Sequence, residues 1–96
     1  MNSKEFTYAI NSLIAFSTNH FSTGEYSSII DKQILQLTVK TGAYLIHNLP
    51  ESRGEVTLYY DTISKVLDYI EDKEIYDAVE EYNRVFDKML ITLDGK

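Results

Sequence analysis

Seven of the chain's fifteen acidic residues fall within one short segment: Asp68, Glu71, Asp72, Glu74, Asp77, Glu80 and Glu81, with Lys73 as the one base among them. The remainder carries eight acids and eight bases, so this segment holds the whole formal charge of −6. Clustered carboxylates can transfer protons, bind cations, or set up a field. Proton transfer needs a pocket that raises one carboxyl pKa, and nothing in the sequence marks one. Calcium binding by an EF-hand needs Gly at the sixth and Glu at the twelfth loop position. Counting from Asp61, Asp68 or Asp72 finds neither. His20 and His47 stand alone, with no His-x-x-x-His or Glu-x-x-His spacing for zinc or a di-iron centre. Ser27, Ser28 and Ser64 have no recognisable base nearby in sequence, and Gly24, Gly42, Gly54 and Gly95 are too scattered for a phosphate loop. No cofactor, metal or catalytic role is expected.

The field remains. A surface of this sign repels phosphate backbones and anionic membranes, so neither nucleic acid nor membrane is an expected partner. A basic protein is attracted. Ordinary solvation accounts for part of the segment: Glu80 can pair with Arg84 one turn on, and Asp72 and Glu74 favour the positive end of a helix beginning there. Asp68, Glu71, Asp77 and Glu81 are left without such an account. Tyrosine is the second unusual feature, with eight copies and no tryptophan. Tyr69 and Tyr76 lie inside the acidic segment and beside its main apolar rows. They suit either a seam between helices, ring buried and hydroxyl wet, or the energetic centre of an interface. The candidate partner-binding set is Asp68, Tyr69, Glu71, Asp72, Tyr76, Asp77, Glu80 and Glu81.

The elements that must position these residues are two amphipathic helices. Val56, Tyr59/Tyr60, Ile63, Val66/Leu67 and Ile70 recur at helical spacing, and the pattern restarts at Ile75, Ala78/Val79, Tyr82, Val85/Phe86, Met89/Leu90 and Leu93. Asp72 is the expected cap between them. Upstream, Asn2 with Glu5, Ser22 with Glu25, and Ser52 with Glu55 have capping-box spacing, and Phe21 with Tyr26 suits a hydrophobic staple. Pro50 interrupts the chain by forcing Leu49 out of helical geometry. Gly95 suits a helix end. In the first helix Phe6, Ile10, Leu13 and Phe16/Ser17 form the buried face. In the second, Ile30, Ile34, Leu37, Thr41 and Leu45 form one stripe, and Leu35, Val39 and Ile46 a second beside it. A helix apolar on two sides packs between two neighbours. The expected fold is an all-α, four-helix up-down-up-down bundle in a single domain of 96 residues, with helices at about 3–18, 23–47, 53–71 and 73–93.

The second helix has a competing interpretation. Leu35, Leu37 and Val39 alternate with Gln36, Thr38 and Lys40, which is strand periodicity, and Thr41-Gly42 could turn the chain. Val56 to Tyr60 would then add a third strand, giving an α+β fold with a small antiparallel sheet from about 34 to 60. The capping signals and the helical spacing after Val56 favour the bundle.

At 44% apolar and 25% charged the chain can support a modest core rather than a disordered state. It has no cysteine, which fits a reducing compartment, and its N-terminal apolar stretch lacks a cleavage site. The expected location is cytoplasmic. Frequent Asn, Ile, Lys and Tyr suit an AT-rich bacterial genome or mobile element. Small size, localised acidity and absent catalytic motifs lead to the expectation of a protein that binds and neutralises another, as immunity proteins and antitoxins do to a basic, nuclease-type toxin. The alternative is an export chaperone or assembly adaptor that holds a client helix in an apolar groove along the second helix.

Overall fold

In a computed structural model, the protein's described residues are 2–18, 24–48 and 53–94. They form four helices: α1 (Ser3–Thr18), α2 (Gly24–His47), α3 (Arg53–Val66), continued by a 3₁₀ turn at Leu67–Tyr69, and α4 (Lys73–Asp94). The fold is an all-α bundle with no strand among the described residues, so the alternative sheet over 34–60 does not form. None of these helices is long and apolar enough to cross a membrane.

The helices alternate in direction. Phe6 near the start of α1 stacks on Tyr44 near the end of α2, with ring centroids 5.3 Å apart. Tyr59 of α3 lies against Phe86 of α4 at 4.6 Å, and Ser64 reaches Asn83 further back along α4. α2 and α3 touch through the middle, and α1 and α4 each pack against both. The two apolar stripes of α2 follow from this placement, one toward α1 and one toward α4.

The same placement explains the strand-like alternation. Leu37 shares its side of α2 with Tyr44 and thus faces α1, whereas Leu35 and Val39 lie on the side of Gly42, which meets α4. A helix clasped between two neighbours can mimic a period of two over a few residues. Gly42 is not a turn. It lies inside α2 where the helices come close: a Cβ there would sit 3.1 Å from the Tyr59 hydroxyl and 3.2 Å from the Tyr82 ring.

The core consists of Phe6, Ile10 and Leu13 of α1, Ile34 and Leu45 of α2, Val56, Tyr59, Ile63 and Val66 of α3, Leu67 and Ile70 beyond it, and Val79 and Phe86 of α4. Most of these lie on the expected faces. Two buried polar residues are tied into it. The Tyr59 hydroxyl is sealed from solvent and donates to the Thr38 carbonyl at 2.8 Å. Its phenol pKa is pushed far above the ordinary value by burial; the neighbouring Thr41 hydroxyl acts weakly the other way, and Tyr82 adds a further small rise. Asp31, also buried, is taken up below.

Asn2 caps α1 as expected, its side-chain oxygen accepting the Glu5 amide at 2.8 Å. The caps assigned to Ser22 and Ser52, the staple residue Phe21, the Leu49-Pro50 break and Gly95 lie outside the described residues.

Candidate protein interface

The acidic segment begins where α3 ends. Sequence spacing carries that helix to about residue 71, but the α-helix stops at Val66, tightens into a 3₁₀ turn, and leaves Ile70 extended (φ −87°, ψ 122°). The physical reason is a residue forty positions upstream. Asp31 of α2 is 1% exposed, and its Oδ2 accepts the amides of Glu71 at 3.2 Å and Asp72 at 2.9 Å. In a continuing helix those amides would bond to carbonyls four residues back. Asp31 takes them instead, and extended Ile70 drops its side chain into the core. Asp31 Oδ1 is buried with no hydrogen-bond partner among the described residues.

Asp72 then starts α4. Its Oδ1 accepts the Ile75 amide at 3.1 Å and its carbonyl accepts the Tyr76 amide at 2.8 Å, the expected cap. Glu74 in the first turn favours the helix dipole. Two stacked carboxylates, one buried and one at the surface, therefore hold the junction in place.

Around this junction Asp68, Glu71, Asp72 and Asp77 are exposed. Glu80 is half-buried and accepts an Arg84 hydrogen bond at 2.6 Å. Glu81 is exposed, with Arg84 at the edge of ion-pair range, 3.9 Å. Asp68, Glu71 and Asp77 form no ion pair with any described residue. The division made from spacing recurs in part: Asp72, Glu74 and Glu80 have local partners or a helix end to favour and Asp68, Glu71 and Asp77 face solvent, whereas Glu81, which spacing left without a partner, has Arg84 beside it.

The tyrosines separate. Tyr69 lies at the surface, 36% exposed, on the 3₁₀ turn among the acids. Tyr76 packs against the core and is half-buried, so its ring belongs mainly to the seam between helices. Tyr8, outside the acidic segment, is the most exposed large hydrophobic side chain among the described residues at 77%. Its spacing on α1 puts it opposite Phe6 and Ile10, which the wheel of that helix makes legible.

Sequence reasoning missed Asp31. It is the one fully buried acid among the described residues, and its role depends on a contact no local pattern encodes. A weak signal was present: Asp31 lies three residues before Ile34 and on the same face.

His47 is exposed at the end of α2, and His20 lies outside the described residues. No group of three His, Cys, Asp or Glu side chains that could hold a metal ion occurs among the described residues. Comparison of the chain with protein-family models, with curated proteins and with solved structures found no match.

Proposed function

We propose that this protein binds and neutralises a basic protein partner through the acidic surface at the α3–α4 junction, and that the partner is a toxin of nuclease type. The observation that carries the proposal is that Asp68, Glu71 and Asp77 are exposed with no ion pair to a described residue, close in sequence to the surface ring of Tyr69, about a junction fixed by Asp31. A nuclease cleft is basic because it must attract phosphate. A preorganised acidic surface competes for that cleft without ordering cost, steers the encounter, and excludes substrate. Tyr69 supplies an amphipathic ring for the contact centre.

Expression of the neighbouring reading frame's product, with and without this protein, tests the proposal. Its toxicity should be relieved by the wild-type chain and not by a chain carrying Glu71→Lys and Asp77→Lys. Both residues are exposed, so folding should survive the changes. Relief that persists after charge reversal contradicts the proposal.

The groove-binding alternative draws on a separate feature, an apolar cleft between α2 and α4 lined by Ile46, Tyr82, Val85 and Phe86 with Glu81.

A further inference from the structure

The outer side of α1 stands apart among the described helices. From Phe6 to Gly24 the sequence carries no Asp, Glu, Lys or Arg, in a chain that is 25% charged. The exposed faces of the other helices carry Lys32 and Lys40 on α2, Asp61 and Lys65 on α3, and Asp77 and Glu81 on α4. On α1, Tyr8 stands 77% exposed on the side away from Phe6 and Ile10. Asn11 is exposed one turn on, Ala15 follows one turn further, and Ile14 lies at the flank.

This face can leave water at little cost. The Thr7 hydroxyl donates to the Ser3 carbonyl at 3.0 Å, and the Ser12 hydroxyl to the Tyr8 carbonyl at 3.1 Å, so both are satisfied within the helix. Asn11 is the polar side chain left to pair. Its amide both donates and accepts, so a second Asn11 can satisfy it.

The face is also complementary to itself. Tyr8 is large, and Ala15, two turns on, is small. A two-fold axis between Asn11 and Ser12 sets the Tyr8 ring of each copy against Ala15 of the other and brings the two Asn11 side chains together. A polar side chain set into an otherwise uncharged helix pair specifies its register. Charge points to the same occupant. Two chains of net charge −6 repel each other wherever their acids meet, and this uncharged face is where they can touch without that cost.

We infer that α1 docks against α1 of a second copy, antiparallel about a two-fold axis near Asn11, so that the protein forms a dimer. The inference is independent of the partner proposed above. With 16 residues α1 is about 24 Å long. One helix pair of that length falls short of the roughly 1,600 Å² of a standard interface, so the dimer is weak, with a Kd of roughly 10–100 μM.

Sedimentation equilibrium of the full chain from micromolar to millimolar concentration, at low and high salt, tests it. A monomer–dimer equilibrium should appear and tighten as salt rises, because salt screens the repulsion between the two chains and the contact holds no charge pair to lose. Tyr8→Glu should weaken the dimer at least roughly tenfold. Tyr8 is exposed, so the variant should fold, and an unchanged thermal midpoint will show it. The chain has no cysteine, so a single introduced one reports position. Under oxidation Asn11→Cys should link two copies, whereas Lys4→Cys, about 22 Å apart along the antiparallel pair, should not.

Monomer at every concentration, a dimer that loosens with salt, a dimer indifferent to Tyr8→Glu, linking as fast at Lys4→Cys as at Asn11→Cys, or assembly that continues past two chains overturns the inference.

Discussion

The buried Asp31 carboxylate accepts the backbone amide of Asp72 at 2.9 Å, and the Asp72 carboxylate in turn caps α4 through the Ile75 amide at 3.1 Å. One acid shapes the turn from inside and the other starts the helix from outside. Removing the inner one strands the Glu71 and Asp72 amides and leaves a void beside Ile70. Asp31→Ala should cost about 2–4 kcal/mol, the sum of lost charge-assisted bonds and a small cavity, measured by chemical denaturation. Asp31→Asn keeps an acceptor oxygen and should cost less. Hydrogen exchange at the Glu71 and Asp72 amides should accelerate in the alanine variant before the rest of the bundle responds.

Tyr59 makes stability depend on alkaline pH. Its folded pKa lies above the ordinary value of 10.0 because burial disfavours the phenolate. Below pH 10 the side chain is protonated in both states and contributes no slope. Above it the unfolded chain releases a proton that the folded chain retains, so stability should fall by about 1.4 kcal/mol per pH unit. Tyr59→Phe should remove this part of the slope. It should also cost about 1–2 kcal/mol at neutral pH, since the Thr38 carbonyl loses its donor. Denaturation curves of both chains between neutral and alkaline pH check both numbers.

Gly42 sets how closely α2 can approach α3 and α4. A methyl group at 3.1 Å from the Tyr59 hydroxyl and 3.2 Å from the Tyr82 ring needs a small shift of its neighbours. Gly42→Ala should be close to neutral, because about 1 kcal/mol of helix propensity offsets the crowding. Gly42→Leu cannot be absorbed that way and should destabilise by about 1–3 kcal/mol in the same measurement.

Much of the fold was legible because apolar periodicity and capping are local. The stripes of α1, α3 and α4, the Asn2 cap and the Asp72 cap all follow from residues within a few positions of one another. The early end of α3 was not legible, because Asp31 acts on it across forty residues. The candidate surface was legible as charge, since exposed acids such as Glu71 and Asp77 belong to one segment. It was less legible as shape. Tyr69 and Tyr76 looked equivalent in sequence, yet only packing decides that Tyr69 faces out while Tyr76 lies against the core. How much of the second stripe is covered was not legible either, with Val39 and Ile46 left partly exposed: a pattern shows that a helix face is apolar, not how far its neighbour reaches across it.

The most direct test of the proposed function is the association rate with the neighbouring reading frame's product, measured across ionic strength for the wild-type chain and for Glu71→Lys/Asp77→Lys/Glu81→Lys. A steered encounter should be fast at low salt and slow by at least roughly tenfold as salt rises past the point where the Debye length falls well below 10 Å. The reversed chain should associate slowly throughout. If no complex forms, or if association is equally fast in both chains and indifferent to salt, the acidic surface at the α3–α4 junction is not the binding site.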